Sequence, residues 1–160
     1  MDAPGQVLAM GGGGFFADPE SPLDDFLLSL SPAARPRVCF LPTPVGDSER
    51  GILTFYEAFS RRDCEVSCLK LFGMPEKPAE QLRDKDVIYV SGGNTANAST
   101  SVRAARIDSA AFGNRSARVF VTSSQRASTS AGVPSAKIDR NAAATISVCA
   151  LGTVARRFRT

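Results

Sequence analysis

The stretch from Asp86 to Asn97, DVIYVSGGNTAN, constrains the architecture of this chain more than any other. Val87-Ile88-Tyr89-Val90 is continuous, β-branched and aromatic, with no polar face to offer water. It therefore predicts an inner strand of a parallel sheet covered on both sides. The run stops at Ser91-Gly92-Gly93-Asn94-Thr95, residues that tolerate unusual backbone angles and let a ligand approach main-chain N–H groups. A helix from about Ala96 to Ala105 follows. In open α/β sheets the crevice beyond the carboxyl ends of the strands is where ligands bind. The same residues also suit a plain strand-to-helix turn capped by Asn94 or Thr95.

Upstream, the pattern repeats. Gln6 to Met10 reads as a strand, and Gly11-Gly12-Gly13-Gly14 after it predicts a loop that passes close to something; it lacks the Lys-Ser/Thr ending of a phosphate-binding loop. Leu23 to Leu30 has helical spacing, with Asp24 and Asp25 in the first turn where the dipole favours acids. Val38 to Leu41 is a second buried strand ending at Pro42-Thr43-Pro44. Asp47 or Ser48 then caps a helix that carries Ile52, Phe55, Tyr56 and Phe59 on one face. Cys64 to Phe72 reads as a third strand and Ala79 to Arg83 as a short helical turn. Strands separated by helical segments predict a parallel α/β sheet. Ala104 to Ala117 has helical character, and Ala142 to Leu151 suits a strand or a helix.

Charge divides the chain. Met1 to Asn97 holds nine Lys/Arg against 14 Asp/Glu, a net of −5, whereas Ala98 to Thr160 holds ten against two, a net of +8. Residues 1–125 are expected to form one α/β domain, and residues 126–160 a basic tail rich in Ala, Ser and Arg. The tail lacks the regular aromatic interleaving that stacks bases, so no nucleic-acid partner is expected. Nor does any run approach the length of a membrane span, and the start lacks the basic region of a signal peptide, which predicts a cytoplasmic protein without a membrane partner. Histidine is absent, which removes the commonest general base near neutral pH and the commonest metal ligand. Cys39, Cys64, Cys68 and Cys149 have no metal-type spacing and are expected to pack as buried thiols. Neither metal nor cofactor is expected.

VLAMGGGGF, PLDDFLLSL, PRVCFLPTPVGDS, FYEAFSRRDCE and DVIYVSGGNTAN, in this order, resemble the amino-terminal half of the dipeptidase E and cyanophycinase family of serine peptidases. The resemblance covers Gln6 to Asn97, with traces to about Ser124. It implies a flavodoxin-like sheet flanked by helices, similar to the class I glutamine amidotransferase domain and here incomplete at its C-terminus. It also implies cleavage of small peptides at aspartyl residues by a serine, a histidine and an acidic partner, without a cofactor. Gly92 and Gly93 correspond to the glycine turn whose backbone helps form the oxyanion hole, and Asn94 and Thr95 would line the pocket.

Past this point the pattern departs. The family carries a buried strand and then Gly-x-Ser-Ala-Gly, followed shortly by Cys-Trp. Here Val119-Phe120-Val121 falls on that strand and Ser124 at the nucleophile, but Gln125-Arg126 follows it. A literal Ser130-Ala131-Gly132 comes six residues later, so Ser124 is the first candidate nucleophile and Ser130 the second. Codons for Ser124 to Gly132 can be chosen so that a neighbouring frame spells Ser-Ala-Gly-Ile-Asn-Phe-Cys-Trp, close to the family segment. A frame change in the coding DNA is therefore a further expectation for the tail. Two readings of function stay open: a serine-type peptidase for small aspartyl peptides, or an inactive, truncated α/β domain that at most binds a small molecule or peptide. An unfinished sheet edge also predicts self-association.

Overall fold

The computed structural model describes residues 6–10, 13–104, 119–123, 135–136 and 146–150. Its strands are β1 (Gln6–Met10), β2 (Arg37–Leu41), β3 (Glu65–Cys68), β4 (Val87–Val90), β5 (Val119–Ser123), β6 (Ser135–Ala136) and β7 (Ile146–Ala150). Between them run α1 (Pro22–Ser29), α2 (Glu49–Phe59), α3 (Pro78–Gln81) and α4 (Thr95–Ala104), with 3-10 turns at Gly14–Phe16 and Thr43–Val45. The strands form one sheet in the order β3-β2-β4-β5-β1-β7-β6. The first five are mutually parallel, whereas β7 runs antiparallel to β1, and β6 to β7. The predicted parallel α/β sheet is thus present. An antiparallel edge extends it, and within the segment left open between strand and helix Ile146–Ala150 is a strand, the rest of it lying outside the described residues.

β4 is the inner strand that its composition demands, held between β2 and β5 with all four residues buried. Its side chains alternate between two cores. On one face Val87 and Tyr89 join Leu8, Met10, Val38 and Phe40 beneath Leu23 and Leu27 of α1 and Phe55, Ala58 and Phe59 of α2. On the other, Ile88 and Val90 meet Cys39, Leu41, Leu69 and Leu82. Phe15, fully buried, contacts the rings of Phe40, Phe55, Phe59 and Tyr89 at centroid distances of 5.2 to 5.8 Å, mostly edge to face.

The helices begin where the caps put them. Ser21 Oγ accepts from the Leu23 N–H at 3.3 Å with Pro22 in the first turn of α1, and Ser48 Oγ accepts from the Gly51 N–H at 3.4 Å at the start of α2. Arg62 then ties the two helices. It donates to Asp25 Oδ1 at 2.7 Å and to the carbonyls of Ala58, Pro19 and Ser21 at 2.7, 2.9 and 3.1 Å. At the amino end of the strands Asp86 accepts from the Arg37 N–H at 2.8 Å and from its guanidinium at 3.1 and 3.3 Å, setting β2 and β4 in register.

The third strand is shorter than Cys64 to Phe72. Past Leu69 the backbone is diverted: the Leu71 N–H donates to Thr43 Oγ1 at 3.1 Å and the Phe72 N–H to Asp47 Oδ2 at 2.9 Å, so neither can continue a ladder. Cys64 precedes the strand and directs its thiol to the Phe59 carbonyl. Cys39, Cys64 and Cys68 are free thiols, and burial pushes Cys68 up to about 12, so it is inert at neutral pH. The second turn of helical character is α3 at Pro78–Gln81 rather than Ala79 to Arg83.

One polar group is buried in the larger core. Asp24 is fully buried, and neither oxygen has a hydrogen bond of good geometry; the Phe15 N–H gives only weak support. Burial raises its pKa to about 7, Arg62 opposing the shift and Asp25 adding to it. The Tyr89 hydroxyl beside it is likewise buried without a partner among the described residues. Gly14, at φ +67°, passes between them: a Cβ there would lie 2.7 Å from Tyr89 Oη and 3.2 Å from Asp24 Oδ1. That is the close approach predicted for the glycine loop; Gly11 and Gly12 lie outside the described residues.

Because the folded pKa of Asp24 stands above the ordinary 3.8, the folded state holds more protons than the unfolded one between pH 4 and 7. Stability is therefore full below about pH 4 and falls as pH rises to about 7, by roughly 3–5 kcal/mol from this group. Asp24→Asn removes that slope. Urea unfolding of both proteins from pH 4 to 8 checks it: the difference between them grows with pH toward 7 and then levels.

Candidate active site

Strand order locates the crevice. From β2 the chain moves outward to β3; from β4 it moves the opposite way to β5. The connections leaving β2 and β4 diverge, so the switch point of the sheet lies between the carboxyl ends of these two adjacent strands. Pro42-Thr43-Pro44-Val45 leaves one strand there and Ser91-Gly92-Gly93-Asn94 leaves the other.

These two turns touch through their backbones. The Asn94 N–H donates to the Pro44 carbonyl at 2.9 Å, and the Ser91 N–H to that of Leu41 at 3.1 Å. Gly93 has φ +134°, and a Cβ on it would overlap the Pro44 carbonyl oxygen and stand 2.7 Å from its carbon. Only glycine fits. The Gly93 N–H has no hydrogen-bond partner among the described residues, and Gly93 is exposed. Ser91 differs: it is fully buried and its Oγ has no partner among the described residues.

Asn94 is the helix cap. Its Oδ1 accepts from the Ala96 and Asn97 N–H groups at 2.9 and 3.1 Å, which starts α4 at Thr95, one residue before the position read from sequence. Its backbone N–H is already committed to Pro44, so what Asn94 presents to the crevice is orientation rather than a free main-chain donor. Thr95 is exposed at the first position of the helix.

The Pro44 carbonyl is itself held in place from behind. Thr43 Oγ1 donates to Asp47 Oδ1 at 2.7 Å, and these two side chains receive the Leu71 and Phe72 N–H groups described above. Asp47 adopts φ +53° to do so, leaving Ser48 as the cap of α2. Sequence reasoning missed this brace. A Thr-x-x-x-Asp spacing across Pro44 to Gly46 was its only local signal.

β5 lies beside β4, with Val90 opposite Thr122, and on its other side Met10 of β1 stands opposite Ser123. The strand expected to lead to the nucleophile is therefore present and ends at the same edge as the Gly92-Gly93 turn. Ser124 follows Ser123 in the chain; Ser124 and Ser130 lie outside the described residues, as do Asp108, Lys137 and Asp139, the groups that the sequence offers in place of a histidine to take a serine proton. A cavity of about 420 Å³ bordered by Cys39, Ser67, Glu80, Asp84 and Lys85 lies toward the opposite edge and shares no residue with the turn. No helix among the described residues is long and apolar enough to cross a membrane.

Known proteins agree with this architecture. The model of peptidase family S51 matches residues 7–121. An uncharacterized peptidase, YgaJ, of Bacillus subtilis (strain 168) is 48% identical over 94 residues, which are 58% of this chain and 41% of that protein. The structure of a peptidase from an acI-B1 Actinobacterium is similar with a TM-score of 0.54 at 16% identity, over 74% of this chain and 54% of that one. A protein from Listeria monocytogenes EGD-e bearing the peptidase E name gives 0.50 at 20% identity, over 77% and 60%. The chain spans less than two thirds of the length of each, and the structural likenesses establish the fold.

Gly93→Ala is expected to lower stability by roughly 2–4 kcal/mol, because the new methyl must displace backbone. Gly46→Ala, at φ +75° but with nothing within 4 Å, is expected to lose only about 1–2 kcal/mol from its backbone angle. Equilibrium urea unfolding of the two variants makes the comparison.

Proposed function

This chain belongs to peptidase family S51, and on that premise we propose that it binds a small aspartyl peptide at the Gly92-Gly93 turn and hydrolyses it as a serine-type peptidase. The observation that carries the reading is the N–H of the exposed residue Gly93, without a partner among the described residues at the switch point of the sheet. A donor fixed in this way meets negative charge as it develops on a carbonyl oxygen and needs no reorganisation to do so. Such a donor is typically worth about 3–4 kcal/mol of transition-state stabilisation.

In this reading the nucleophile is Ser124, one residue beyond the end of β5, with Ser130 as the second candidate. The hydroxyl must lose its proton as it attacks the carbonyl. With no histidine in the chain, that proton passes to Lys137 or to a carboxylate, Asp108 or Asp139. The missing histidine also favours the second reading, in which the same turn holds a peptide or small molecule without cleaving it.

Hydrolysis of an aspartyl dipeptide by the purified chain separates the two, measured beside Ser124→Ala and Ser130→Ala. The peptidase reading expects turnover that falls on the order of a thousandfold or more in Ser124→Ala and persists in Ser130→Ala. Loss only in Ser130→Ala moves the nucleophile. Absence of turnover in all three folded proteins leaves the binding reading.

A further inference from the structure

Apolar surface is left uncovered next to this donor. Phe16 and Val45 are 44% and 36% exposed, although each sits on a turn at the carboxyl edge of the sheet. They form one strip. The point where Gly51 would carry a Cβ is 3.5 Å from Phe16 Cε1 and 3.8 Å from Val45 Cγ2, so the bare backbone of α2 joins the two side chains. At its far end Val45 Cγ1 comes within 3.2 Å of the Cβ point of Gly93.

The strip is also rigid. The Phe16 ring stacks on the fully buried Phe15 at 4.2 Å between centroids and leans on Phe40 at 6.1 Å. Val45 is held by its N–H on the Pro42 carbonyl at 2.9 Å. A surface ordered before binding loses little entropy when a ligand covers it.

We propose that Phe16 and Val45, which pack side by side over the buried Gly51, form an apolar subsite that takes the aliphatic or aromatic side chain of the residue adjoining the carbonyl held at Gly93. This rests on the peptide reading above. Successive residues of a peptide are about 3.8 Å apart, so a peptide whose carbonyl meets the Gly93 N–H brings a neighbouring side chain onto Val45 and Phe16. A free donor beside a fixed apolar strip matches the alternation of carbonyl and side chain along a peptide. The chain therefore selects small peptides with an apolar residue beside the bound aspartyl carbonyl.

Calorimetry with aspartyl-leucine and aspartyl-glycine tests this, using the full chain with Ser124→Ala and Ser130→Ala so that no turnover intrudes. Aspartyl-leucine is expected to bind about tenfold more tightly, as partial burial of a leucine side chain implies. Val45→Thr, which keeps the shape, and Phe16→Ser, which removes the ring, are each expected to reduce that ratio to about threefold or less and leave aspartyl-glycine affinity unchanged. Equal binding of the two peptides overturns the subsite and leaves the peptide reading standing, as does a preference that survives both substitutions. Binding of neither peptide overturns both. Sizing chromatography of the same proteins covers the other occupant: self-association that Phe16→Ser abolishes, with the peptide preference intact, makes the strip a contact between copies and overturns the proposal.

Discussion

Everything at the carboxyl edge depends on one backbone contact, the approach of Gly93 to the Pro44 carbonyl with the Asn94 N–H bonded to it. Two strands that are neighbours in the sheet leave it in opposite directions, and this contact keeps their exits together. No side chain fits between them. A methyl group on residue 93 would overlap the Pro44 oxygen, so the geometry of the exposed donor and the choice of glycine are one fact. Behind Pro44, the Thr43–Asp47 pair fixes the same turn to the chain leaving β3. Three consecutive exits from the sheet are thus joined by hydrogen bonds rather than by packing, which suits an edge that must stay open to solvent.

How much of this was legible depends on the range of the interaction. Val87 to Val90 announced itself because a strand covered on both faces has no polar residues to spare, and all four are buried. Asn94 was legible as a possible cap because capping is local. The length of β3 was not, because it ends when Thr43 and Asp47, some 25 to 28 residues earlier, capture its N–H groups. Asp24 shows the same limit. Its position predicts an acid on the first turn of α1, which it is, but nothing local says that this turn faces the core. The candidate nucleophiles Ser124 and Ser130 rest on the sequence alone, since only the strand before them is described.

The glycine run after β1 had one legible consequence and one hidden one. Four glycines implied a close approach, and Gly14 makes it. What it approaches is the pair Asp24 and Tyr89, whose side-chain polar atoms are buried without partners among the described residues. Unsatisfied groups of this kind are rare in folded proteins and costly. Here the cost falls as Asp24 takes up a proton, since a neutral carboxyl is far less expensive to bury than a carboxylate. The element they sit beneath, Gly14–Phe16, carries Phe16 to the apolar strip, so the same turn links the polar defect in the core to the surface beside Gly93.

The two ends of the sheet are built to opposite rules. At the amino end, Asp86 takes three donors from Arg37 and closes the gap between β2 and β4 with a charged, hydrogen-bonded cluster. At the carboxyl end of the same two strands, the Gly93 N–H has no partner among the described residues, and Phe16 and Val45 are partly exposed. Folding has satisfied one end and left the other with both polar and apolar capacity. A ligand that offers an acceptor and an apolar group together recovers both at once. An oxygen alone, or a hydrocarbon alone, recovers half, and that difference is the physical basis of the proposal that a peptide binds at this edge.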